Sequence, residues 1–84
     1  MKTWELYYKS HFIKITNGFF SGSVLFVDGD IQDFISGFSI NKKMSGEIKI
    51  GNGAGDRIKI RLTLLGKHKC IIFINETILL PTFK

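Results

Sequence analysis

From Arg57 to Leu64 charged or polar residues alternate with branched aliphatic ones without a break: Arg57-Ile58-Lys59-Ile60-Arg61-Leu62-Thr63-Leu64. Side chains on a strand point to opposite faces with period two, so the segment reads as a β-strand. Ile58, Ile60, Leu62 and Leu64 belong against a core, and Arg57, Lys59, Arg61 and Thr63 face water. Gly66-Lys67 then turns the chain. Lys67 to Ile74 returns as a second strand, more apolar and therefore more central. One hairpin thus sets the architecture: a sheet with one covered face and one charged face.

The rest of the chain repeats that logic in shorter pieces. Trp4 to Tyr8 reads as a strand with Trp4, Leu6 and Tyr8 on one face, and His11 to Thr16 as another with Ile13 and Ile15 inward. Asn17-Gly18 signals a turn, because both residues tolerate positive φ. Phe19 and Phe20 cannot both face one core from a regular strand, so one belongs in a loop or on the surface. Ser23 to Val27 is apolar enough for burial on both faces, and Asp28-Gly29 closes it with a hairpin turn. Ile31 to Phe38 resumes extended structure with irregular alternation, and Gly37 marks a bulge or a strand end. Asn41-Lys42-Lys43 reads as a polar connection. Ser45 to Ile50 reads as a strand with Ile48 and Ile50 inward. Gly51 to Asp56 is a flexible loop, Asn75-Glu76 a turn, and Thr77 to Leu80 a last strand ended by Pro81. No stretch places apolar residues at helical spacing. About eight short strands separated by turn signals predict a single all-β domain over residues 1–84, a small antiparallel β-sandwich, with a small closed β-barrel as the alternative.

Composition narrows the function classes. Eighty-four residues make one domain. No apolar run approaches the roughly 20 residues that span a bilayer as a helix. Glu5, Lys9 and Lys14 interrupt any apolar leader, and Cys70 is the only cysteine; together these predict a cytoplasmic protein without a disulfide. The net charge of +5 is uneven. Residues 42–69 hold eight Lys or Arg against Glu47 and Asp56, a net +6, whereas residues 1–41 carry −1 and residues 70–84 are neutral. A field of that sign attracts anionic partners.

Several stretches resemble the β-sandwich domain of the Fas apoptotic inhibitory molecule family. They are Trp4-Glu5-Leu6, the His-led strand His11-Phe12-Ile13-Lys14-Ile15, Ser21-Gly22, Leu25-Phe26-Val27-Asp28-Gly29, Ile48-Lys49-Ile50-Gly51, and Ile72-Phe73-Ile74-Asn75 before Ile78. They occur in the family's order and cover about one domain. The resemblance implies an eight-stranded antiparallel sandwich that binds other proteins and catalyses nothing. That family places two such domains in one chain, and this sequence has room for one.

Four constellations bear on chemistry. Asp28-Gly29-Asp30 with Asp33 looks like a calcium loop but lacks the full acidic pattern, so its carboxylates are expected to hydrogen-bond local N–H groups. His68 and Cys70 would share a strand face, yet two ligands do not complete a zinc site. Nothing marks a third group to orient them as a nucleophile pair, and Cys70 reads as a small buried hydrophobe. The glycine loop lacks the Lys-Ser/Thr of a phosphate-binding loop. The basic strand remains. The expectation is a non-catalytic interaction module, an adaptor or stoichiometric inhibitor, with no cofactor and no metal. It engages an acidic protein surface through Lys49, Arg57, Lys59, Arg61, Lys67 and Lys69. The alternative is nucleic acid bound by the same face, with Phe12, Phe19 and Phe20 the rings free to stack. Edge strands offer a further route, pairing with a partner strand or as a homodimer.

Overall fold

The computed structural model describes residues 1–18, 22–37 and 39–83. Phe19, Phe20, Ser21 and Phe38, on which several expectations fall, lie outside them. Among the described residues nine strands follow in order: β1 (Lys2–Tyr8), β2 (His11–Gly18), β3 (Gly22–Val27), β4 (Asp30–Ile35), β5 (Asn41–Glu47), β6 (Arg57–Thr63), β7 (Lys69–Ile74), β8 (Thr77–Leu79) and β9 (Thr82–Phe83). The first four form a meander in one sheet, of order β4-β3-β2-β1-β9, and the next four a meander in the second, β5-β6-β7-β8. All pairings are antiparallel. The sheets form a sandwich and do not close into a barrel. No helix among the described residues is long and apolar enough to cross a membrane.

The alternation of β6 sorts as its pattern demands. Ile58, Ile60 and Leu62 are buried while Arg57, Lys59 and Arg61 are exposed. Trp4, Ile13, Ile15, Leu25 and Val27 from one sheet meet Met44, Ile58, Ile60, Leu62, Ile72 and Ile74 from the other in a single core. Each fully buried aliphatic side chain there contributes roughly 1.5–3 kcal/mol.

Turn chemistry aligns the strands at one end. Lys9-Ser10, Asp28-Gly29 and Asn75-Glu76 all have positive φ at both central residues, and each joins strands through a two-residue loop. This is the primed turn whose twist matches that of the flanking strands.

Five local readings change. Asn17-Gly18 is no turn; both residues belong to β2, where Asn17 is buried opposite Ser23. Val24 and Phe26 of β3 are only half-buried, because an antiparallel sheet in a two-layer sandwich has one covered face. The irregular alternation of β4 is a bulge: Leu25 pairs with Asp33 and Phe26 with Ile31, so Gln32 is the extra residue. Asn41-Lys42-Lys43 begins β5, which ends at Glu47; Ile48 is still buried, but Ile50 is 75% exposed. The chain leaves the ladder there because Ile48 bonds instead to the loop, its N–H to Asp56 O and its carbonyl to Gly55 N–H. Finally, Pro81 carries the chain to the other sheet, where β9 pairs with Trp4 and Glu5.

Side chains lace the open side between β4 and β5. Gln32 Nε2 donates to Glu47 O (2.8 Å), Glu47 N–H donates to Gln32 Oε1 (2.7 Å), and Ser45 N–H donates to Asp33 Oδ2 (2.9 Å). Gly46 leaves the necessary room, since a Cβ there would stand 2.4 Å from Gln32 Oε1.

Lys42, 4% exposed, turns inward at the far end. Its Nζ donates to Ser23 Oγ (3.0 Å), Gly37 O (3.1 Å) and Asn17 Oδ1 (3.3 Å), and Ser23 Oγ itself donates to Asn17 (2.7 Å). Burial holds the ammonium below its ordinary pKa.

Three outcomes follow for stability, all measured by denaturant unfolding. Ile60→Asp is expected to leave no folded population, since a buried unpaired carboxylate costs several kcal/mol against a total of about 4–12 kcal/mol for a chain of this length. Asn17→Ala, which strips the shared acceptor from two buried donors, is expected to cost about 1–3 kcal/mol. Lys42→Met, which removes the buried charge itself, should cost less than Asn17→Ala.

Candidate anion-binding face

The covered faces of the two sheets are committed to the core, so any binding surface must come from their outer faces, edges or loops. On the second sheet the register builds a basic face that no single strand contains. Lys43 lies opposite Arg61, Ser45 opposite Lys59, and Glu47 opposite Arg57. On the other flank Lys59 faces Phe73, Arg61 faces Ile71, and Thr63 faces Lys69. Neighbouring strands stand about 4.8 Å apart, and same-face residues along a strand about 6.7 Å, so these groups form one surface.

Five of the six predicted residues come together there. Arg57, Lys59 and Arg61 run down the centre, Lys69 sits at one end, and Lys49 joins Arg57 and Lys59 around a groove of about 520 Å³ that Gln32, Ser45 and Glu47 complete. Lys67 lies apart, exposed in the turn between β6 and β7. A second groove of about 400 Å³ runs between Lys43, Lys59, Arg61 and Phe73. Among the described residues, none of Lys43, Lys49, Arg57, Lys59, Arg61 or Lys69 forms an ion pair. Two carboxylates enter the face: Glu47 opposite Arg57, and Glu76 beside Lys59 and Arg61.

Lys43 and Phe73 are the members the sequence did not reveal. Lys43 was hidden because Asn41 to Lys43 lacks the aliphatic residues that announce a strand. Phe73 depends on hairpin parity. A two-residue turn at Gly66-Lys67 would set it opposite Ile60, but the longer connection from Leu64 to His68 centres the pairing on Gly66 and sets it opposite Lys59. The ring thereby lands among the cations. Ile78 follows it across to β8.

The other constellations resolve into structural contacts. Asp28 reaches back to β2: Oδ1 accepts from Phe12 N–H (2.8 Å) and Oδ2 from His11 Nδ1–H (2.6 Å). Asp33 accepts from Phe34 and Ser45 N–H groups. The glycine loop spends its amides internally, with Ala54, Gly55 and Asp56 N–H donating to Gly51, Ile48 and Gly53 carbonyls. Cys70 is a buried member of the core, its thiol pushed up to about 12 by desolvation, and it is not available as a thiolate at neutral pH. His68 is half-buried ahead of β7, and its Nδ1 has no hydrogen-bond partner among the described residues.

His11 joins the glycine loop to the β3–β4 turn. Its Nδ1 meets Asp28, and its Nε2 donates to Asn52 O (2.8 Å). Both partners are acceptors, so both contacts are satisfied together when the ring is protonated. Its hydrogen bond to Asp28 raises the His11 pKa above 6.5, and the same bond holds the Asp28 carboxyl below 3.8. Beside it, Asp56 accepts from Tyr8 Oη, Lys9 Nζ and Asn75 Nδ2, which fastens the loop a second time and keeps its carboxyl low.

Comparison with protein-family models, with curated proteins and with solved structures finds no significant match.

The clamp predicts a pH window. A raised histidine pKa stabilises the fold fully below pH 6.5 and is lost as pH rises through the folded value. A lowered aspartate pKa stabilises above pH 3.8 and is lost as pH falls through its folded value. The pair therefore contributes most between those limits. Titration of the His11 Cε1 proton by NMR should give a pKa above 6.5, and Asp28→Asn should bring it down.

Proposed function

We propose that the chain is a non-catalytic binding module that docks on the acidic surface of another protein through the outer face of β5, β6 and β7. The observation that carries this reading is the set of six cations, Lys43, Lys49, Arg57, Lys59, Arg61 and Lys69, held side by side without ion pairs among the described residues. Like charges on adjacent strands repel, and an acidic partner relieves that repulsion while steering its own approach.

Two features favour a protein as the partner. Ile71, Phe73 and Ile78 form an apolar row beside the cations, the arrangement of an interface with a hydrophobic centre and a charged rim. Glu47 and Glu76 would repel a phosphate backbone but can meet lysines or arginines of a protein and fix its orientation. An adaptor or stoichiometric inhibitor that masks a partner's surface needs no more than this. The resemblance to the Fas apoptotic inhibitory molecule sandwich supports the same reading. A cytoplasmic location accords with a lone, buried Cys70.

Nucleic acid is the second reading, and Phe73 favours it, because a ring among cations can stack on a base while Lys59 and Arg61 hold phosphates. Fluorescence anisotropy separates the two, with labelled poly-glutamate, single-stranded oligo-dT and duplex DNA as probes in about 50 to 200 mM salt. The proposal expects poly-glutamate to bind and the triple variant Arg57→Glu/Lys59→Glu/Arg61→Glu to fold normally yet lose that binding. Oligo-dT or duplex bound more tightly than poly-glutamate, weakening about a thousandfold over that salt range, would give the face to nucleic acid. Binding to none of the probes, even at about 50 mM salt, would overturn both readings.

A further inference from the structure

The opposite outer face has a different chemistry. Across β1, β2, β3 and β4 the register sets Tyr7 beside Phe12, Phe26 beside Ile31, and Val24 beside Phe34. Tyr7 is 76% exposed, Ile31 64% and Phe34 53%; Phe12, Val24 and Phe26 are half-buried by their neighbours alone. The Tyr7 and Phe12 rings stand 4.9 Å apart, and Lys14 Nζ lies 5.6 Å from the centre of the Phe26 ring. Charge is scarce. Lys14 faces Glu5 directly across the ladder, and the nearby Asp33 carboxylate is engaged by two N–H groups.

We propose that two copies of the chain pair through this face, sheet against sheet, with their basic faces turned outward on opposite sides. Tyr7, Phe12, Val24, Phe26, Ile31 and Phe34 gather on one face beside Glu5, Lys14 and Thr16, and an apolar patch of this size on a protein surface is often an interaction site. Charge selects the occupant. The face has no excess of cations to hold a phosphate backbone and no excess of either sign to recruit a charged protein. It is neutral and therefore compatible with itself. The basic faces repel one another, so self-association must use the side away from them, and this is the side that is apolar. The area reaches what is needed: β1 to β4 at about 4.8 Å spacing and about 20–25 Å length present about 400–500 Å² per copy, or about 800–1,000 Å² for a pair, at the lower bound of a specific interface. Tyr and Phe are the residues such interfaces concentrate. The pairing does not depend on what the basic face binds. It would, however, give one particle two docking faces and so raise avidity for a multivalent partner.

Sedimentation equilibrium without added ligand, from about 5 to about 500 μM protein, tests the pairing, since an interface of minimal area predicts association in the micromolar range. The expected mass rises from 9.5 kDa toward twice that value and stops there. Tyr7→Glu/Phe34→Glu, at exposed positions, should keep the strand signature in circular dichroism and weaken association at least about a hundredfold. Ile31→Lys provides an independent variant on the same surface, and added salt should leave association unchanged or tighten it. Monomers throughout the range, growth past the dimer, or association that survives both folded variants would each overturn the proposal. Anion binding is measured separately on the monomeric variant, so failure of one reading is not confused with failure of the other.

Discussion

The layer of aliphatic side chains shared by the two sheets is the constraint on which everything else depends. Ile13, Ile15 and Leu25 on one side and Ile58, Ile60, Leu62 and Ile72 on the other are almost completely buried. With period two along every strand, committing these residues inward commits their neighbours outward. The covered faces have to be alike, because they pack on each other. The outer faces are under no such obligation, and here they diverge into a cationic surface and an aromatic one. Function, on this view, is written in the residues the core left over.

The edges show how the same fold stays discrete. Exposed edge strands offer unpaired N–H and C=O groups to any passing strand. On one side Gln32 supplies both a donor and an acceptor to Glu47, in effect a peptide group made from a side chain, and Asp33 takes the Ser45 N–H. On the other, the chain after Pro81 returns to the first sheet and lays β9 along β1. At the end bearing the two-residue turns, the His11–Asn52 and Tyr8–Asp56 contacts hold the glycine-rich loop down, so a segment with the composition of a flexible linker is ordered by its neighbours.

Much of this was legible in the residues. The all-β class, the two-layer arrangement and the inward and outward sides of β6 follow from alternation, which is a local property. What escaped notice was non-local. Lys42 sits where a sequence reader expects solvent, and it is buried because Asn17, Ser23 and Gly37 supply acceptors from three separate places in the chain. Ile50 fails to turn inward because backbone bonds between Ile48 and the loop end the strand early. Of the candidate face, Arg57, Lys59, Arg61 and Lys69 could be read from strand pattern alone. Lys43 and Phe73 required the register, and parity in a hairpin is decided by the length of its turn. The aromatic face was invisible for the same reason: Tyr7, Phe12, Phe26, Ile31 and Phe34 come from four strands, and the bulge at Gln32 shifts one of them.

The order of the strands has a kinetic consequence. Each sheet is a meander drawn from a contiguous half of the chain, so every ladder but one joins strands adjacent in sequence. Loop closure for such pairings is short, and a β-protein built this way escapes much of the slowness that long-range pairing imposes on sandwiches whose strands are interleaved. The exception is β9 on β1, which brings Phe83 back to Trp4. That contact cannot form until Thr82 and Phe83 are present. The N-terminal meander can therefore exist as a nascent sheet during synthesis, but its edge is sealed only once β9 has been made.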